Sequence, residues 1–189
     1  MHKDIERTLY SEPELRLRVR DLGYTLAADY QDKDPIIIGV LKGSFVFMAD
    51  LIRAIDMPCQ VEFLTVSSYG SKSESTGRPK ITQDLDVDIE KRHVILVEDI
   101  VDSGQTLRYL LEYLKGYNPT SIEVCALFDK PDRRKIAISA KYTGFIVPDA
   151  FIVGYGLDFA EKYRNLPYVG ILRPELYKQK TKSLLITNC

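Results

Sequence analysis

Between residues 12 and 30 the apolar side chains Leu15, Val19, Leu22 and Leu26 recur at spacings of three and four among charged and polar neighbours. That is one face of an amphipathic helix. The pattern changes at "PIIIGV", residues 35–40, a β-branched run with no polar alternation. A strand of this kind is buried on both faces, as in a parallel sheet. A helix is expected next over 44–55, with Ser44 as N-cap. Residues 59–69 predict a second strand, 93–99 a third, 121–130 a fourth and 150–157 a fifth, with a helix over 106–117 after the third. Strands alternating with helices predict an α/β fold around a mostly parallel sheet. One segment breaks the rhythm. "SYGSKSESTGRPKITQDLD", 68–86, has almost no apolar residues. Connections of that length inside a compact domain are lids or disordered. The tail 178–189 gives little sign of a packed element, and no function is assigned to it.

Composition narrows the class. The chain of 189 residues is expected to form one domain with a sizeable core. A hydrophobic content of 45% with 28% charge is ordinary for a soluble protein. The formal net charge of −1 points to neither nucleic acid nor a membrane surface as partner. No apolar run approaches the roughly 20 residues of a membrane span. The first residues, "MHKDIERTLYSEPEL", carry charge where a signal peptide has its apolar core. Cys59, Cys125 and Cys189 are odd in number and far apart, which supports neither a disulfide framework nor a zinc site. The expected setting is the reduced cytoplasm.

The chemistry concentrates in "VILVEDIVDSGQTL", 94–107. Four apolar residues run into Glu98, Asp99 and Asp102, and then into Ser103, Gly104 and Thr106. In open parallel sheets ligands bind beyond the carboxyl ends of the strands. Backbone N–H groups of residues 102–106, with the positive end of the following helix, suit a phosphate. The site is thus an anion cradle beside anions. A ribose 5-phosphate explains the mixture: its phosphate enters the turn and its 2- and 3-hydroxyls donate to Glu98 and Asp99. A magnesium ion shares that preference for carboxylates plus ligand oxygens. The competing reading is solvated acids at a strand end. No G-x-x-x-x-G-K-[ST] and no G-x-G-x-x-G after a strand is present.

This stretch resembles the phosphoribosyl-pyrophosphate signature of type I phosphoribosyltransferases, in the form carried by the hypoxanthine (hypoxanthine-guanine) branch. The similarity extends over about residues 35–170. It implies a twisted parallel sheet flanked by helices, with a core over about 35–145. It also implies a small hood from the N-terminal segment and about 146–180, and a mobile loop over about 68–83. The implied reaction joins a 6-oxopurine to phosphoribosyl pyrophosphate with magnesium, releasing pyrophosphate. Relatives form dimers or tetramers, so a homo-oligomer is expected.

Further residues take roles through the same resemblance. "GVLKGSF", 39–45, is similar to the pyrophosphate loop, with Lys42 and Gly43 as binding residues and a cis peptide between Leu41 and Lys42. Ser68 and Tyr69 match the pair on the loop that closes over the reacting centre. Lys130 is the donor to purine O6. An ammonium has donors only, so it accepts a 6-carbonyl and meets a 6-amino group donor to donor. Phe151 stacks on the purine, and the backbone carbonyls of Ile152 and Asp158 meet its other edge. Asp158 also joins Glu98 and Asp99 as a metal residue. Arg164 binds pyrophosphate; a surface ion pair with Glu161 is its competing reading. Gln105 stands where some members have Lys, and its backbone N–H serves the phosphate either way. Gly156 stands where some have Ala. His2 and His93 match no ligand position.

The implied mechanism is substitution at the anomeric carbon with oxocarbenium character. Asp102 accepts a proton from purine N7, while Lys42 and Arg164 neutralise the leaving group. The alternative from another class is a non-catalytic phosphoribosyl-pyrophosphate-binding regulator of the same fold. Such a protein would have lost the base, the O6 donor or the metal carboxylate, yet Asp102, Lys130 and Asp158 are all present.

Overall fold

In the computed structural model, which describes residues 2–68 and 79–177, the apolar runs of the sequence form a six-stranded sheet between helices. The strands are β1 (Ile5–Tyr10), β2 (Ile36–Leu41), β3 (Gln60–Ser68), β4 (Pro79–Gln83), β5 (His93–Val101), β6 (Ser121–Asp129), β7 (Tyr142–Ile146), β8 (Ile152–Val153) and β9 (Val169–Leu172). The helices are α1 (Glu12–Tyr30), α2 (Phe45–Ala54) and α3 (Gln105–Lys115). The main sheet has the order β4-β3-β2-β5-β6-β7, parallel except for β4. A smaller antiparallel sheet has the order β1-β9-β8.

The continuous runs of β2 and β5 follow from cover on both faces. Ile37 of β2 and Ile95 and Val97 of β5 join Leu15, Val19, Leu22 and Leu26 of α1 and Phe47, Met48 and Leu51 of α2. Ile36, Ile38, Val94 and Leu96 turn the other way, onto Leu107, Leu110 and Leu114 of α3. Successive strand residues face opposite sides, so a strand between two layers must be apolar at every position. α1 begins where Ser11 N–H donates to the Glu14 carboxylate at 2.8 Å, with Pro13 in the first turn. Arg18 crosses from α1 to the edge strand β7, donating to the carbonyls of Gly144 (2.6 Å) and Thr143 (3.0 Å).

Several expectations need correction. Ser44 precedes α2 but does not cap it with its side chain; its buried hydroxyl donates backwards to the Val40 carbonyl at 2.6 Å. The polar segment 68–86 is not loop throughout, because Pro79–Gln83 pairs with β3 at the edge of the sheet. The strand expected over 150–157 shrinks to two residues, since Gly154, Tyr155 and Gly156 all take positive φ. Strands β1, β7 and β9 had no counterpart in the sequence pattern. Among the described residues no helix is long and apolar enough to cross a membrane. Cys59 and Cys125 are free.

Candidate active site

β2 and β5 are neighbours, yet the chain leaves β2 for β3 on one side and takes up β5 on the other. Such a switch point opens a crevice beyond the strand ends. The two ends come very close: a Cβ on Gly43 would lie 1.7 Å from Asp99 Oδ2, so any other residue there would push the Asp99 carboxylate aside. The Leu41–Lys42 peptide is cis, as the resemblance implied. Gly156 closes in from the opposite side, at φ +99, where a Cβ would stand 2.2 Å from the Gly43 carbonyl oxygen.

Glu98 is only 7% exposed, and burial, reinforced by the adjacent Asp99 charge, holds its carboxyl well above the usual range. Burial pushes Asp99 up to about 6; the Ile100 N–H, which donates to it at 2.8 Å, and the Arg164 charge act the other way. The turn that follows is fastened from behind. Arg134 donates to the Asp102 carbonyl at 2.7 Å and Lys135 N–H to the Ser103 carbonyl at 3.0 Å. Gly104 takes φ +83, with Ile138 packed where a side chain would be. α3 starts at the next residue, and the first N–H groups of a helix have no partner within it. Glu98, Asp99, Asp102, Ser103, Gly104 and Thr106 line one narrow cleft of about 190 Å³. Gln105 is exposed and lies outside its lining.

A wider cavity of about 470 Å³ adjoins it, sharing Asp99 and Asp102 and adding Lys130, Phe151, Ile152 and Asp158. Lys130 is not the solvated turn residue it would be in isolation. Its side chain is 7% exposed, its N–H donates to Val101 O at 3.0 Å, and its ammonium donates to Ala150 O at 2.7 Å. Burial lowers its pKa, against the opposing pull of Asp102. Phe151 sits at the mouth, 36% exposed, edge-on to Phe159 and tilted against Tyr177. It is therefore not plain core.

The two remaining cations converge on one carboxylate. Lys42 Nζ lies 3.2 Å from Glu161 Oε2, and an Arg164 nitrogen 3.6 Å from Glu161 Oε1. Arg164 is no surface residue. It is 19% exposed, donates to Gly156 O at 2.8 Å and pairs with Asp158 at 2.9 Å. Its Nε is buried without a hydrogen-bond partner.

As for a metal, no three His, Cys, Asp or Glu side chains converge into a cage among the described residues. Asp99 and Asp158 do share a cavity, and the Asp158 charge helps to raise the Asp99 carboxyl. Two hard oxygen donors beside a phosphate-sized cleft suit magnesium, which is held by one or two carboxylates plus ligand phosphates. Ser68 ends β3 opposite Pro79; Tyr69 and residues 70–78 lie outside the described residues, as does the tail 178–189.

Arg133 and Tyr177 carried no sequence signal strong enough to be singled out, and in the sequence Glu161 figures only as a partner of Arg164. Arg133 donates to Asp102 at 2.8 Å and to Asp149 at 3.1 Å. Tyr177 lines the wider cavity. Glu161 joins Lys42 and Arg164. Their partners lie far away in the chain, and only the doubled arginine of "PDRRK" hinted at any of them.

A family model of the phosphoribosyl transferase domain matches residues 7–160. The hypoxanthine-guanine phosphoribosyltransferase of Bacillus subtilis is 51% identical over 178 residues, covering 94% of this chain and 99% of that one. The bifunctional protein TilS/HprT of Listeria innocua is 49% identical over 179 residues, but there the chain spans only 28% of the relative's length. The crystal structure of a Staphylococcus aureus hypoxanthine phosphoribosyltransferase superposes with a TM-score of 0.88 at 46% identity, over 94% of this chain and 96% of that one.

Proposed function

The chain belongs to the phosphoribosyltransferase family, and from that premise we propose that it salvages purines. It transfers the 5-phosphoribosyl group of phosphoribosyl pyrophosphate to N9 of hypoxanthine or guanine, giving IMP or GMP and pyrophosphate. The observation that carries this reading is Lys130, an ammonium buried beside the wider cavity and joined through Asp102 to the phosphate-sized cleft.

The residues divide the substrate between them. The turn 103–106 and the start of α3 take the 5-phosphate. Glu98 and Asp99 accept from the ribose hydroxyls. Lys130 donates to O6, Phe151 covers one face of the base, and the carbonyls of Ile152 and Asp158 meet its far edge. Asp102, close to both cavities, takes the proton from N7 as N9 attacks. Lys42 and Arg164, with the backbone at Gly43, hold the departing diphosphate. Asp99 and Asp158, with Glu98, would hold magnesium, which would supply charge neutralisation for the leaving group. The resemblance gives Ser68 and Tyr69 the role of excluding water from the reacting centre. The enzyme works in the cytoplasm as a homodimer or homotetramer. Exposed Leu17, Tyr24 and Phe45 on α1 and α2 supply apolar surface for such an assembly.

The test is pyrophosphate release from phosphoribosyl pyrophosphate with hypoxanthine, guanine, xanthine or adenine. Release with hypoxanthine or guanine and not with adenine is expected. Turnover with adenine alone would overturn the role of Lys130, and tight sugar-phosphate binding without any release would favour the regulator.

A further inference from the structure

Glu161 stands where a pyrophosphate site should have no negative charge. Its two oxygens face different cations: Oε2 lies 3.2 Å from Lys42 Nζ and Oε1 3.6 Å from Arg164. Lys42 and Arg164 are the pair that the reading above gives to the leaving group, and this inference rests on that assignment. Arg164 does not need Glu161 to hold its place, because Asp158 and the Gly156 carbonyl already fix the guanidinium. The Glu161 backbone is fixed as well. It sits at φ 61 with its N–H donating to Asp158 Oδ2 at 2.9 Å, and Ala160 and Tyr163 also take positive φ. The start of the side chain is thus set by a tight turn, whereas the side chain itself is 66% exposed and free to swing.

We propose that the Glu161 carboxylate is an internal stand-in for pyrophosphate, paired with Lys42 and Arg164 until the diphosphate displaces it and returning as the product leaves. An exposed ion pair of this kind is weak. A diphosphate with several charges and more acceptor oxygens outcompetes one carboxylate for the same donors. The exchange keeps the two cations compensated at every stage. It also lowers affinity for the product, which favours its release.

The experiment is calorimetric titration of inorganic pyrophosphate, with magnesium present, into the wild-type protein, Glu161→Gln and Lys42→Ala. Glutamine keeps the length of the side chain and the backbone turn while removing the charge. Glu161→Gln should bind pyrophosphate about 1.5- to fivefold more tightly, the range of one exposed charge pair. Its affinity for IMP, which fills the other two cavities, should be unchanged. Equal or weaker pyrophosphate binding by Glu161→Gln, with IMP affinity kept, overturns the proposal and makes Glu161 a prop for Arg164. If IMP affinity is lost as well, Glu161→Asp decides: the shorter side chain keeps the charge but loses reach, so tighter pyrophosphate binding supports displacement and weaker binding overturns it. Lys42→Ala separates the two layers of the argument. Weakened pyrophosphate binding upholds the cradle, and unchanged binding overturns the cradle assignment and this inference with it.

Discussion

Glu98 and Asp99 are both buried carboxyls that hold a proton more tightly than an exposed one does. Asp99, raised to about 6 from an ordinary 3.8, binds a proton more tightly in the folded protein than in the unfolded chain. Between about pH 4 and 6 the folded form holds a proton that the unfolded chain has released. Its contribution to stability is therefore most favourable below that window and is lost as pH rises through it. The difference in melting temperature between wild type and Asp99→Asn, measured with a chelator present, should grow from pH 4.5 to 7.5 in favour of the variant. The contribution is about 1–2 kcal/mol once partial exposure is allowed for. A constant difference across that range would show that the carboxyl is not perturbed. Asp102 faces its cavity alongside Arg133 and has the role of base. Asp102→Asn keeps the shape, so kcat should fall about 10²–10⁴-fold with little change in phosphoribosyl-pyrophosphate affinity. Steady-state kinetics with both substrates varied would reveal it, and near-normal turnover would remove the residue from the chemistry. These carboxylates were legible in the sequence because they crowd one strand end. The Arg133–Asp102 and Lys42–Glu161 pairings were not, since each joins residues that only the fold brings together.

At the scale of elements, the layers that cover two faces were the ones the hydrophobic pattern could show. β2, residues 94–97 of β5 and residues 124–128 of β6 are continuous apolar runs because helices lie above and below them, and α1 carries its 3–4 spacing because one stripe meets the sheet. The elements that the pattern did not show are those with weaker demands. β4, "PKITQ", has a single neighbouring strand, so it needs no apolar alternation. β1 buries only Ile5 fully, and β9 is four residues long. In β8 the apolar pattern misled, because left-handed residues end the strand where hydrophobicity continues. The contact between α1 and α2 turns on a residue that propensity alone would remove. Gly23 lies mid-helix, and a Cβ there would sit 2.6 Å from Ala54 Cβ and 2.7 Å from its backbone. Gly23→Ala gains about 1 kcal/mol of helix propensity, yet it forces the helices apart at a cost of about 1–3 kcal/mol. The variant should therefore melt lower by a few degrees. A higher melting temperature by calorimetry would mean that α2 yields easily.

For the whole molecule, the candidate site lies where the two sheets meet. The large sheet ends in the carboxylates and the phosphate turn, while the chain running to and from the small sheet brings Phe151, Asp158 and Arg164. Among the described residues that arrangement leaves β4 and β7 outermost in the large sheet, with no further strand beside either. An open flank is a template on which a second polypeptide can add a strand and so begin an aggregate. The Arg18 guanidinium takes two carbonyls of β7, so that flank offers fewer acceptors to an incoming chain. Arg18→Ala should leave the catalytic constants near wild type and increase light scattering during slow heating or prolonged concentration. Equal scattering by the two proteins would confine Arg18 to holding α1 against the sheet. On the expected outcome, a side chain far from the chemistry serves to keep each molecule out of its neighbours' sheets.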